Sequence, residues 1–191
     1  IRSKYKDPIA TGSGQGYGLA NNFCREGYSE NIFGEGTRHV VDYSSSYNCR
    51  ARTIREFDGK SAVVVLAHNS FGGNIEVEDI TCTVDDYAVM ASSQGLSEKN
   101  KDVQIMRGYK VRNVKHTLPT KRPDEYAVSV MLQHDYSDIE IDNVDVTFMD
   151  VEPVPTLASH VVRLEGNQAG KTTVSNIKAN VVGSLVYFGR R

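Results

Sequence analysis

Tryptophan is absent from this 191-residue chain, and proline and cysteine are scarce, at 5 and 3 residues. Cys24, Cys49 and Cys82 are widely spaced with no Cys-x-x-Cys pair, which argues against a disulfide framework or a zinc site and leaves buried, reduced thiols as the expectation. No apolar run approaches the roughly 20 residues of a membrane span; the longest is Ala62 to Ala67. No Asn-x-Ser/Thr acceptor occurs. An excess of one charge is also missing: 22 Lys+Arg against 24 Asp+Glu gives a net charge of -2, so neither nucleic acid nor an anionic lipid surface is an expected partner. What remains is a chain with 39% apolar residues, enough to bury a core. A start at Ile1 and an end at Arg190-Arg191, directly after an apolar run, lead to the expectation of a piece cut from a longer chain.

The chain repeats itself. An alternating strand with Asp or Asn at a bend recurs as Ile75-Glu-Val-Glu-Asp79-Ile-Thr-Cys82, Tyr109-Lys-Val-Arg-Asn113-Val-Lys-His116, Ile139-Glu-Ile-Asp-Asn143-Val-Asp-Val146 and Thr172-Thr-Val-Ser-Asn176-Ile-Lys-Ala179. Asp79, Asn113, Asn143 and Asn176 lie 34, 30 and 33 positions apart, and looser copies at Asn48 and Asn22 bring the number of turns to about six. Between bends comes a short Val-rich strand such as His39-Val-Val-Asp42, Ala62-Val-Val-Val-Leu66 or His160-Val-Val-Arg-Leu164. Period-2 alternation with almost no helical spacing predicts strands and little helix.

Short strands that return to the same bend suit a coil whose turns stack in parallel, with equivalent strands about 4.8 Å apart. Ile80, Val114, Val144 and Ile177 then form one inward column, and Cys82, His116, Val146 and Ala179 the next. Asn suits the bends because it tolerates the left-handed backbone and its amide can bond to the turns on either side. An antiparallel sandwich is the competing architecture, but hairpin dipeptides are nearly absent. The stretches Gly16-Tyr-Gly-Leu-Ala-Asn-Asn-Phe-Cys24, Thr37-Arg-His-Val-Val-Asp42, Asn74-Ile-Glu-Val-Glu-Asp-Ile-Thr81 and Asp138-Ile-Glu-Ile-Asp-Asn-Val144 resemble the right-handed parallel β-helix of the pectate-lyase-like superfamily, in the form found in bacteriophage tailspikes and neck or tail appendages. The resemblance covers Gly16 through Gly189. It implies an all-β, single-stranded solenoid over residues 16–191, preceded by a flexible lead-in over 1–15. Gly12-Ser-Gly-Gln-Gly-Tyr-Gly18 reads as a flexible entry into the first turn; it does not fit a dinucleotide fingerprint, and no cofactor is expected.

Residues leaving the Val-rich strands should line up along the coil axis: Asp42 and Tyr43, His68 and Asn69, Ser92 and Ser93, His134 and Asp135, Glu165 and Asn167, and Arg190. A row of carboxylates, imidazoles and amides suits a linear glycan, which takes repeated hydrogen bonds rather than one deep pocket. Asp135 and Glu165, expected at equivalent positions of adjacent turns, are the candidate carboxylate pair for glycosidic hydrolysis; His134 is a possible acid/base partner and Asp42 lies further along. The plain alternative is that all four are solvated rim residues. Arg38-His39-Val-Val-Asp42 groups a cation, an imidazole and a carboxylate, yet alternation puts His39 on the face opposite Asp42, so convergence is not expected. His39, Tyr43, His68, Asn69 and Asn167 are the candidate substrate contacts. His116 falls in an inward column and is expected in the core, and no metal site is expected.

The resemblance implies a homotrimer carried in a virion tail or appendage, assembled in the bacterial cytoplasm with other virion proteins. Its target would be a bacterial surface polysaccharide or teichoic acid, recognised and in some members depolymerised. The alternatives are a free-standing polysaccharide lyase or epimerase, disfavoured because the acidic pairs are not gathered for calcium, and a non-catalytic shaft or adhesion module.

Overall fold

A computed structural model describes residues 2–4, 16–66, 73–92, 106–118, 128–133, 135–149, 160–180 and 185–189. Every regular element among them is a strand. One sheet of nine strands runs β1 (Arg2–Lys4), β3 (Gly27–Glu35), β5 (Tyr47–Gly59), β7 (Gly73–Val84), β10 (Lys110–Leu118), β13 (Ile139–Phe148) and β15 (Thr172–Ala179), with β9 (Met106–Arg107) and β12 (Tyr136–Ser137) paired beside that path. The second sheet has seven, in the order β16 (Val186–Gly189), β14 (His160–Glu165), β11 (Val128–Gln133), β8 (Val89–Ser92), β6 (Ser61–Leu66), β4 (His39–Ser44) and β2 (Tyr17–Asn22). All pairings are parallel. Parallel neighbours cannot be joined by a tight turn, and here the chain crosses to the other sheet instead. The result is an all-β chain compatible with a β-solenoid, and the antiparallel sandwich is excluded. One visit to both sheets is called a pass below.

The long strands bend at a single residue. In β7, Ile75 and Val77 are buried, and so are Ile80, Cys82 and Val84, so the alternation slips by one position at Asp79. Asp79 has φ 57, and Asn31, Thr53, Asn113, Asn143 and Asn176 occupy the same place with φ between 53 and 56. Left-handed backbone turns the strand without breaking the parallel ladder, and Asn and Asp adopt it at lower cost than other residues with a Cβ. The upstream bends therefore fall at Thr53 and Asn31, not at Asn48 and Asn22. Asn48 is left-handed too, φ 54, but it forms a different corner with Asn74, whose Nδ2 donates to Asn48 Oδ1 at 2.9 Å.

Inward columns form the core as expected: Ile54, Ile80, Val114 and Val144 stand in register, followed by Glu56, Cys82, His116 and Val146. Isoleucine and valine suit such columns because branched side chains stack on a pleated surface. Glu56 and His116 bring polar side chains into these columns. Glu56 is fully buried, with Oε1 accepting the Thr37 backbone N–H at 2.9 Å. Glycines flank it, since a Cβ on Gly34 would stand 1.8 Å from Glu56 Oε2 and one on Gly59 2.1 Å from Oε1. His116 is also buried, between Ser129 Oγ at 3.0 Å and the Val84 carbonyl at 3.2 Å.

The short strands carry a second slip. Val40 with Val41, Ala62 with Val63, Ala88 with Val89 and Val161 with Val162 are all buried neighbours. Two consecutive inward residues leave the residues before and after them on one outer side, so His39 and Asp42 meet: Nδ1 lies 2.9 Å from Oδ2. The expectation that alternation keeps them apart is thereby corrected.

Candidate functional site

The expected polar row is only partly present. Tyr43 is fully buried among the core residues, because it follows the slip and points inward; its assignment as a rim contact is overturned. His39 and Asp42 pair with each other, with the His39 ring edge-on to Tyr17 at 5.6 Å between centroids. Glu165 stands opposite Gln133, and Asp135 lies beside Asn167, so the two carboxylates are not at equivalent positions. Each also has its own partner: Glu165 is ion-paired with Arg163, and Asp135 Oδ1 accepts the Asn167 backbone N–H at 2.7 Å. The Asp42 column runs through Val64, Met90 and Met131 to Arg163, four strand spacings and about 19 Å away. Ser92 and Gln133 hydrogen-bond at 3.5 Å. His134, His68, Asn69, Ser93 and Arg190 lie outside the described residues.

A more continuous polar surface covers the outside of the long-strand sheet. Before the bend, Arg52, Glu78, Arg112 and Asp142 occupy one outward column and Arg50, Glu76, Lys110 and Glu140 the neighbouring one, so charge alternates from strand to strand. Arg112 holds Glu76 at 2.7 Å and grips Glu140 with two nitrogens, at 2.8 and 3.0 Å. Arg52 Nε reaches Asp79 at 3.0 Å, and Arg50 pairs with Glu78. Hydrogen bonds favour the ionised form of three carboxyls on this face, Asp79, Glu140 and Asp142. Asp79 is lowered first by the Asn113 amide and then by Arg52, Glu140 by Arg112, and Asp142 by Ser175 and Asn176.

Beyond the bend the outward column is Arg55, Thr81, Lys115, Asp145 and Lys178. Between this column and the bend residues lies a groove of about 270 Å³, lined by Ile80 and Val114 and by the polar residues Thr53, Arg55, Asp79, Thr81, Asn113, Lys115, Asn143 and Asp145. Two cations, two carboxylates, two amides and two hydroxyls thus face one open channel across the strands. Sugar hydroxyls and ring acids are bound by such mixed donors and acceptors. Glycosidic cleavage also needs a carboxyl kept protonated near neutral pH, whereas Asp79 is held ionised. The groove residues were not among the sequence candidates; the slip at Asp79, visible as Val77 then Ile80, is the signal that puts positions 55, 81, 115 and 145 outside.

Comparison with family models, curated proteins and solved structures finds no match to this chain. Among the described residues no cluster of three His, Cys, Asp or Glu is placed to hold a metal ion.

Proposed function

We propose that the passes wind into a right-handed parallel β-helix of the bacteriophage tailspike or appendage kind, and that this segment recognises a bacterial surface glycopolymer such as capsule, O-antigen or teichoic acid. The observation that carries the reading is the groove along the bend, where Arg55 and Lys115 alternate with Asp79, Asp145 and the Asn113 and Asn143 amides. A linear polymer lying along the bend meets a further polar pair every ~4.8 Å, Thr53 with Arg55, then Asp79 with Thr81, Asn113 with Lys115 and Asn143 with Asp145, which suits weak contacts multiplied along a chain. The homotrimer and the virion setting belong to this proposal and rest on the resemblance. Binding without cleavage is the favoured form, since Asp135 and Glu165 are each engaged by a neighbour.

The test is binding of the whole chain to purified capsule, O-antigen and teichoic acid by calorimetry, with light scattering to read the oligomeric state. Arg55→Ala and Lys115→Ala should each weaken binding several-fold while leaving the circular dichroism unchanged. If no polymer binds at low salt, or if both variants bind like the parent, the reading fails. Release of reducing ends that Asp135→Ala or Glu165→Ala abolishes would replace recognition with depolymerisation.

A further inference from the structure

Of the three thiols, two meet. Cys24, half-buried, precedes β3, and Cys49, buried, lies in β5 opposite Gly27. Cys49 Sγ is 3.8 Å from the Cys24 carbonyl, and that same carbonyl accepts the Tyr47 N–H at 2.7 Å, so the backbone is fastened next to both sulfurs. Gly27 leaves the gap they share: a Cβ there would lie 2.9 Å from Cys24 Sγ and 3.4 Å from Cys49 Sγ. Cys82 is placed differently, buried in the core column between Glu56 and His116.

We propose that Cys24 and Cys49 are an oxidisable pair whose disulfide staples the first pass of the coil to the second. The chemistry uses a small disulfide oxidant, for which oxidised glutathione is the probe. The Cys24 thiolate, on the more accessible residue, attacks one glutathione sulfur, forming a mixed disulfide and expelling one glutathione thiolate. Cys49 then loses its proton to solvent and its sulfur attacks Cys24 Sγ, expelling the second glutathione. Two protein thiols are oxidised, one glutathione disulfide is reduced to two thiols, and the two protons the cysteines lose pass through water to the expelled glutathione thiolates. In the reduced chain burial, followed by the hydrogen bond and like charge of Cys24, pushes the Cys49 thiol up to about 12; once Cys24 is in the mixed disulfide the burial remains, so the second step is the slow one. In a reducing cytosol the pair stays open; in an oxidising medium it closes. This inference is independent of the glycan reading.

The experiment incubates the native 191-residue chain with oxidised glutathione, denatures it in acid, alkylates the remaining thiols and maps the digest by mass spectrometry. The expected product is one cross-linked peptide joining Cys24 to Cys49, lost on reduction, with Cys82 fully alkylated. The same treatment in strong urea should scatter pairing over all three cysteines. Gly27→Ala, which puts a methyl between the sulfurs, should slow closure roughly tenfold or more, as a displaced sulfur loses its in-line approach. Alkylated Cys24 and Cys49 after oxidation, a mixed disulfide that persists on Cys24, or a cross-link through Cys82 in the native chain would each overturn the proposal, and so would an unchanged closure rate in a folded Gly27→Ala chain.

Discussion

Asn143 donates its side-chain amide to Asn113 Oδ1 at 2.9 Å, although 30 residues separate the two in sequence. Asn113 in turn donates to Asp79 at 2.9 Å, so the bend carries a ladder of side-chain hydrogen bonds parallel to the backbone ladder. Asn143→Ala removes one donor, leaves Asn113 Oδ1 to water and puts alanine into left-handed backbone. The expected loss is about 1–2 kcal/mol, read as a lower urea midpoint with an unchanged slope. Asn143→Gly should recover part of the loss by relieving the backbone but not the lost bond.

Thr53 occupies the same ladder with φ 54, a conformation that a β-branched side chain adopts only under strain. Thr53→Asn should stabilise the chain by about 1 kcal/mol, through easier left-handed backbone and an amide that fits between Asn31 and Asp79. A thermal midpoint that stays level or drops in this variant would show that the threonine hydroxyl or methyl is needed in the groove.

How far this architecture was legible depended on which phase changes the sequence displays. At Asp79, Asn113, Asn143 and Asn176 a strong bend former coincides with a shift in alternation, so the inward columns could be written down with their register. At Thr53 the shift is present but the residue is a poor bend former, and the nearby Asn48, a better one, drew the bend to the wrong corner. The slip at Val40-Val41 was hidden because a run of valines has no visible period, and Tyr43 and the His39–Asp42 pair were misplaced together. The glycan row was read from strand ends, where loops vary. The groove that formed lies on the strand faces, and its signal was the same phase change already used for the core.

Arg112 sits among Glu76, Glu78, Glu140 and Asp142 in the two outward columns of alternating charge. Reversing it with Arg112→Glu removes the grip on Glu140 and Glu76 and stacks like charges across both neighbouring strands. The expected destabilisation is about 2 kcal/mol at low salt, with around half recovered in 1 M salt, where the screening length is near 3 Å. Arg112→Gln, which adds no negative charge, should lose less and respond weakly to salt. Equal losses in the two variants at every salt concentration would mean that packing of the Arg112 stem, and not charge alternation, accounts for the effect.

Glu56 and His116, one on each side of Cys82 in the inward column, should oppose each other in their effect on stability with pH. Burial raises the Glu56 carboxyl from 4.5 to about 7, so the folded chain holds that proton more tightly than the unfolded chain. Its contribution is fully present below 4.5 and is lost as pH rises to about 7, by about 3 kcal/mol. Burial lowers the His116 imidazole from 6.5 to about 4, with the Val84 carbonyl partly opposing, so its contribution is present above 6.5 and is lost as pH falls to about 4. Between 4.5 and 6.5 the slopes have opposite signs, and the contribution of the pair to stability should be nearly flat. Glu56→Gln leaves the imidazole alone, and stability should then climb through that window by about 3 kcal/mol. His116→Gln leaves the carboxyl alone, and stability should fall through it instead. Urea midpoints of the three proteins at half-unit steps of pH decide the matter, and variants with parallel profiles would mean that at least one of the two groups titrates in the folded chain as it does in water.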